Sequence, residues 1–232
     1  MDKMKRWIRR ALIHKYFPEI WYLVENWLSQ CSDGGRLLEI GCGRGVFTQA
    51  MVQDCWNVYS LDYSKHSLER AQERIAKIGK EVSFTLAQPE QLPFQDEAFE
   101  AITCINCLEF ADNPLASLRE AYRVLKPGGK GVVVVFRAYS FWSFRWVAQA
   151  LRKDRPEKSY RCFKLSILKK LIVKSGFSVD SYKLKGRYIP FQPGKSVLPW
   201  PVSGAVVALL EKPLPGEKQI KIPMDSQGVF HK

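Results

Sequence analysis

The chain has 232 residues, 46% of them hydrophobic and 25% charged. That is material for one large domain or two small ones, and it excludes disorder, collagen and a coiled coil as the main architecture. The longest apolar runs, Val132–Phe136 and Ala205–Leu210, fall far short of the roughly 18 residues a membrane helix needs, and 36 Lys and Arg against 23 Asp and Glu leave a net charge of +13.

That charge is unevenly placed. Residues 1–15 carry Lys3, Lys5, Arg6, Arg9, Arg10 and Lys15 against Asp2 alone. Residues 16–151 hold 13 basic and 16 acidic residues, whereas residues 152–195 hold 13 basic and 3 acidic. The excess therefore belongs to two outer segments around a mildly acidic middle. Near the N-terminus no apolar stretch has the length of a secretory signal core, so a cytoplasmic location is expected, with membrane association open. Cys31, Cys42, Cys55, Cys104, Cys107 and Cys162 are scattered rather than arranged as a disulfide framework. Cys104-Ile-Asn-Cys107 has redox or metal spacing without a second Cys/His pair, and buried thiols at a strand end are expected there.

In chain order, residues 5–12 place Trp7, Ile8, Ala11 and Leu12 on one side of a helical projection and Lys5, Arg6, Arg9 and Arg10 on the other. This pattern suits either a helix at an anionic membrane surface or a cap helix packing over a pocket. From Arg36 the chain alternates short β-branched runs with amphipathic stretches, as in a parallel α/β sheet covered on both faces. Strands are expected at Arg36–Ile40, Asn57–Leu61, Val82–Leu86, Ala101–Ile105 and Gly131–Phe136, and helices at Val46–Asp54, Ser64–Gly79 and Pro114–Leu125. Ser64 is an N-cap candidate and Gly79 a stop. Lys126-Pro127-Gly128-Gly129 reads as a turn. Residues 137–163 break the rhythm with Phe141, Trp142, Phe144 and Trp146 among arginines. A helix at Leu165–Val173 and strands at Phe177–Leu184 and Gly204–Leu210 follow. The expected organisation is N-terminal cap helices over 1–30, a catalytic domain over 31–212 with a lid-like insertion at about 137–163, and a loosely held tail over 213–232.

The most informative stretch is Leu37-Leu38-Glu39-Ile40-Gly41-Cys42-Gly43-Arg44-Gly45: a buried strand, an acidic residue near its end, and a glycine-rich turn opening a helix. Such a turn lets backbone N–H groups approach a ligand closely, and the spacing G-x-G-x-G is not the dinucleotide G-x-G-x-x-G. Asp62 ends the second strand, where its carboxylate can accept from both hydroxyls of a ribose; the alternative is a helix cap. Gly41–Gly45, Asp62, Gln88 and Asn106 should share the crevice at the carboxyl ends of the strands.

Three segments, Leu38–Gly45, Glu90-Gln91-Leu92-Pro93-Phe94 and Arg123-Val124-Leu125-Lys126-Pro127-Gly128-Gly129, give the chain its resemblance, over roughly residues 36–136, to class I S-adenosylmethionine-dependent methyltransferases. The similarity is to the type 11 subgroup typified by ubiquinone and menaquinone biosynthesis enzymes. It implies a doubly wound, Rossmann-like sheet of seven mostly parallel strands with the last antiparallel, and S-adenosylmethionine as cofactor. It also implies that Gly41, Cys42, Gly43 and Gly45 line the methionine part and that Glu39 accepts from the ammonium, directly or through water. Asp62 would bind the ribose with Tyr63 beside the adenine, and Ile105 and Asn106 would lie near the sulfonium and the acceptor. The family's acidic residue after the third strand is replaced in Ala87-Gln88-Pro89 by Gln88, whose carbonyl can still accept from the adenine amino group. Its frequent histidine after Leu-Glu is here Phe110.

Methyl transfer of this kind is direct displacement, for which positioning supplies much of the barrier reduction, and no His/Cys/Asp cluster stands at metal-ligand spacing. Glu109 is a candidate general base, with an exposed or capping glutamate as the preferred reading. His14 is the other catalytic candidate, against a solvated helix histidine. His66 falls in the first turn of a helix and His231 in the tail. The two aromatic and basic segments point to a small, hydrophobic, quinone-like or lipid-like acceptor, with peripheral membrane contact. The alternatives are an RNA methyltransferase using the basic 152–195 segment and a non-catalytic cofactor-binding protein. Against the RNA reading, Asn106-Cys107-Leu108 lacks the Pro-Pro-aromatic run of base amino-group methylation, and no Pro-Cys dipeptide occurs. Oligomeric state is not legible.

Overall fold

The computed structural model describes residues 18–31, 35–54, 56–136, 161–185 and 205–216. The amphipathic stretch at 5–12, His14, Cys55, most of the 137–163 insertion, and His231 with most of the tail lie outside the described residues.

Seven strands form one sheet in the order β3-β2-β1-β4-β5-β7-β6. They are β1 (Arg36–Ile40), β2 (Asn57–Asp62), β3 (Ser83–Leu86), β4 (Phe99–Ile105), β5 (Leu125–Phe136), β6 (Ser178–Lys185) and β7 (Ala205–Glu211). β1 pairs parallel with β2 and β4, and only β7 runs antiparallel, wedged between β5 and β6. Among the described residues the helices are α1 (Pro18–Leu28), α2 (Val46–Gln53), α3 (Lys65–Ala76), α4 (Pro114–Val124) and α5 (Leu165–Ser175). This is a doubly wound α/β fold, and no helix of the described residues is long and apolar enough to cross a membrane.

Side chains alternate across the central strands, so the sheet has two apolar faces. Leu38, Ile40, Ile102, Cys104, Val133 and Val135 pack with Leu118, Ala121 and Val124 of α4 and Leu168 and Ile172 of α5. On the other face Leu37, Ala101, Val132, Val134 and Val207 meet Trp21, Val24, Trp27 and Leu28 of α1 and Met51 and Val52 of α2. α3 seats Leu68 and Ala71 against Cys42, beside Phe84 of β3. The Ser64 hydroxyl accepts from Ser67 N–H and caps α3, as its sequence position predicts.

At Lys126–Gly129 the structure departs from a free turn. Phe99 pairs with Leu125 and Ala101 with Lys130, so four residues stand opposite the single Glu100 as a bulge inside β5. Gly128 takes φ +74°, Gly128 N–H donates to Lys212 O at 2.7 Å, and Lys212 N–H donates to Gly129 O at 3.1 Å. The Lys212 ammonium, nearly buried, donates to Leu125 O at 2.8 Å. A turn expected from Pro and Gly is thus absorbed into the sheet by the last strand.

The Leu92–Phe94 motif also has a structural explanation. Arg123 donates to Leu92 O at 3.0 Å, Phe94 O at 2.8 Å and Asp96 at 2.7 Å, and Glu120 both pairs with Arg123 and accepts Leu92 N–H at 2.8 Å. One guanidinium fork thus stitches two of the family-like segments together. Arg123→Ala is expected to cost about 2 kcal/mol in denaturant unfolding, because two carbonyls lose their donor. Arg123→Lys should recover less than half of that, having no fork; full recovery would show that charge alone suffices.

Candidate active site

The winding direction of the chain reverses between β1 and β4, so their carboxyl ends bound the crevice of the sheet. The β1 side is the loop Gly41–Gly45, in which Gly41, Gly43 and Gly45 take φ of +77°, +52° and +71°. Two of them are required by packing. A Cβ on Gly41 would lie 2.5 Å from Cys107 Sγ, and one on Gly45 would lie 2.9 Å from Ala71 Cβ, whereas a Cβ on Gly43 would meet nothing within 4 Å. Gly43 alone faces open space.

Loop and strand are tied together at β2. Gly41 N–H and Cys42 N–H both donate to Leu61 O, at 2.9 and 3.0 Å. Asp62, 6% exposed, accepts Gly43 N–H on Oδ2 and Ser64 N–H on Oδ1, each at 2.9 Å. Its carboxylate therefore sets the loop's shape, and each oxygen keeps a lone pair that a diol could use. It precedes the true helix cap, Ser64, by two residues.

Glu39 lies directly beneath this loop and is 3% exposed. Its Oε2 accepts from Thr48 Oγ1 at 2.5 Å and from Ser60 Oγ at 2.8 Å. Burial pushes this carboxyl up to about 7, the two hydroxyls pull it back, and the neighbouring Asp62 pushes it further. Neither hydroxyl is in the sequence reading, although Ser60 is legible: it shares a strand face with Asp62, two residues on.

On the β4 side, Ile105 is buried and Asn106 half-buried. Asn106 is in the left-handed region at φ +53°, a conformation asparagine tolerates, and its amide Nδ2 donates to Glu109 Oε1 at 3.4 Å. Glu109 corrects expectation: it is neither exposed nor a cap, with no measurable exposure. The turn carrying it is held by Arg161, whose N–H donates to Glu109 O at 2.9 Å and whose guanidinium donates to Ala111 O and to Asp112 O at 3.2 Å. Arg161 is half a hundred residues away in sequence, and no local pattern signals it.

At the β3 end, Ala87 N–H donates to Asp62 O at 3.2 Å and Gln91 N–H to Gln88 O at 3.2 Å. Tyr63 is half-buried, Gln88 exposed and Pro89 buried. The crevice thus brings together Glu39, the glycine loop, Asp62, Ile105, Asn106 and Glu109, with Tyr63, Gln88 and Pro89 beyond Asp62. Cys104 and Cys107 are both buried. The Cys104 thiol and burial push Cys107 well up, and burial pushes Cys42 up, so neither is a thiolate nucleophile at neutral pH. His66 is exposed in the first turn of α3. A groove of about 500 Å³, lined by residues including Asn57, Ile75, Lys80 and Phe84, opens at the opposite end of β2 and β3 and shares no residue with the crevice.

These groups suit a nucleoside carrying a charged amino-acid arm. Asp62 matches a diol, Glu39 an ammonium, Ile105 and Cys42 an apolar thioether flank, and the Cβ-free face of Gly43 gives room for close approach. Gly43→Ala is expected to cost about 1–2 kcal/mol of stability, the left-handed cost, while weakening cofactor binding about ten-fold or more in calorimetry. Gly45→Ala should lose more, about 3–4 kcal/mol, because it carries the same conformational cost and α3 must move as well. The reverse ranking would put the ligand somewhere other than above Gly43.

Fold and crevice define the class: a doubly wound α/β domain whose candidate site lies at its sheet's carboxyl edge. Comparison with known proteins makes it specific. Residues 38–133 match the type 11 family model described as a methyltransferase domain. The ubiquinone biosynthesis O-methyltransferase of Pseudomonas entomophila is 31% identical over 128 residues, 54% of this chain and 55% of that protein. The chain spans about half the length, or less, of the curated relatives it matches. Among solved structures, a SAM-dependent methyltransferase of Methanosarcina mazei superposes with TM-score 0.64 at 19% identity, covering 83% of this chain and 97% of that one. The [4+2]-cyclase SpnF does so with TM-score 0.64 at 20% identity, covering 83% and 81%. Residues 38–133 are thus similar to methyltransferase domains of the type 11 family, on a fold shared with solved methyltransferases.

Proposed function

We propose that the protein transfers a methyl group from S-adenosylmethionine to a small, hydrophobic, quinone-like or lipid-like acceptor. The observation that carries the methyl-transfer reading is the loop–carboxylate unit, in which Asp62 fixes Gly43 while the face of Gly43 stays open. When bound, S-adenosylmethionine supplies a methyl carbon made electrophilic by its sulfonium. Asp62 holds the ribose, and Glu39 attracts the ammonium from beneath the loop. Asn106, locked by Glu109, orients the acceptor oxygen or nitrogen toward the methyl, so positioning does most of the work. Glu109, the carboxylate to which the Asn106 amide donates, would take a proton from an acidic acceptor through water.

The apolar acceptor is supported by the relatives named for ubiquinone biosynthesis and by the aromatic composition of residues 137–163. Incubation with methyl-labelled cofactor and cell extract, followed by separation into lipid, RNA and small-molecule fractions, tests it. Label is expected in the lipid or apolar small-molecule fraction. Label in RNA alone would favour the basic 152–195 segment as an RNA-binding element, and cofactor binding without any labelled product would favour a reaction other than methyl transfer.

A further inference from the structure

From Arg161 to Val179 the chain carries five basic residues and no acidic one, and α5, the helix inside that stretch, turns most of them outward. Leu168, Ile172 and Ser175 are its buried side. At roughly 100° per residue, Ser166, Ile167, Lys170, Val173 and Lys174 fall together in an arc of about 120° on the opposite side, and all five are exposed. Lys164, also exposed, stands at the N-cap. Ile167 and Val173, 48% and 54% exposed, are two of the six large apolar side chains exposed among the described residues. α4, packed beside α5, adds the exposed Arg119, and its one carboxylate, Glu120, is engaged by Arg123 and by Leu92 N–H. α5 starts on the sheet edge that holds the crevice, because Arg161 N–H, just before it, donates to Glu109 O in the turn after β4. It ends at the other edge, where Ser178 opens β6.

We propose that this face of α5 docks the protein on an anionic lipid surface. The ammonium groups of Lys164, Lys170 and Lys174 supply attraction to the headgroups. Their apolar stems lie along the headgroup boundary, and Ile167 and Val173 enter it. RNA would use the lysines but not the branched apolar pair, and no aromatic side chain stands on this face to stack on a base. Charge and exposed apolar surface together favour a bilayer. Because α5 starts beside the turn carrying Glu109, docking along it brings the crevice close to the phase in which an apolar acceptor dissolves. Docking here deepens the reading of an apolar acceptor and rests on that reading for its purpose alone.

Co-sedimentation of the full chain with phosphatidylglycerol-containing vesicles, pure phosphatidylcholine vesicles and single-stranded RNA, as separate arms, tests this. Wild type is expected to bind the anionic vesicles and not the neutral ones. Lys170→Glu with Lys174→Glu should weaken that binding roughly twenty-five-fold, since each basic side chain at such a surface contributes about five-fold. Ile167→Ser with Val173→Ser should weaken it about ten-fold through the apolar area withdrawn from the boundary. The same charge change after α3, which packs beside α2 on the other face of the sheet, is the control. Lys77→Glu with Lys80→Glu should leave binding within about two-fold, because salt screens charges so far from the docked face. Equal weakening by the two lysine pairs would assign binding to net charge, and wild-type affinity in the serine pair would remove the apolar contact. RNA retention abolished by Lys170→Glu with Lys174→Glu would make the face a polyanion site. Each of these, or no binding of wild type to anionic vesicles, would overturn the proposal. Calorimetry with S-adenosylhomocysteine should give one affinity for all four proteins; a drop confined to the α5 variants would make this face part of the crevice and overturn it too. None of the vesicle readouts needs methyl transfer, so an acceptor that proves polar fails separately.

Discussion

Asp62→Ala is expected to lower cofactor affinity by about a hundred-fold and stability by about 3 kcal/mol at once. Two backbone donors, Gly43 N–H and Ser64 N–H, depend on its carboxylate, and charge-assisted hydrogen bonds contribute about 1.5–3 kcal/mol each. Their loss frees the glycine loop from β2 and leaves α3 with its Ser64 cap alone. A chain of this size should then melt roughly 6–12 °C lower. Asp62→Asn is the sharper probe, because its amide nitrogen must face one of the two donors. It should lose about half the stability and nearly all the affinity. Calorimetry with S-adenosylhomocysteine, with thermal melts of the same samples, reads both quantities. Wild-type affinity in either variant would remove Asp62 from the ribose site and leave it a purely structural residue.

Glu39 should make the apo protein less stable, and the bound one tighter, as pH rises through neutrality. Its carboxyl sits at about 7 in the fold against an ordinary 4.5, chiefly through burial. A folded-state value above the unfolded one means that the native chain holds the extra proton between those pH values. The stability this contributes is fully present below about 4.5 and is lost as pH climbs through about 7. The loss amounts to about 3 kcal/mol at most. A cofactor ammonium favours the ionised carboxylate, so affinity should rise about ten-fold between pH 6 and 8. Glu39→Gln is expected to flatten both profiles. Persistence of either slope in that variant, followed by denaturant titration and calorimetry across pH, would assign it to another group.

The elements that could be read from sequence are those where local pattern and tertiary role agree. β1 falls at Arg36–Ile40 as its buried run predicts, and α4 starts at Pro114, where Asn113 caps it by accepting Ala116 N–H. Asp62 and the glycines are readable because a strand-to-helix turn announces itself in composition. Glu109 is readable only as a candidate base and not as a buried one: it sits in a turn without periodicity, and its burial comes from packing and from Arg161 returning from the far side of an insertion. The bulge at Lys126–Gly129 is hidden for a related reason. Pro and Gly report local bending, but only the pairing with β7, more than eighty residues on, decides that the bend lies inside a strand.

The position of β7 bears on how this chain is made. Last among the strands in sequence yet hydrogen-bonded between β5 and β6, it completes the sheet only after residue 211 has left the ribosome. Until then β5 offers the unpaired edge of Val132, Val133, Val134 and Val135, all buried in the finished fold. Such an edge invites pairing with another chain. Nascent chains stalled before Ala205 are therefore the species that should depend on chaperones, and fusions or truncations that delay β7 should lower soluble yield while leaving the crevice residues untouched.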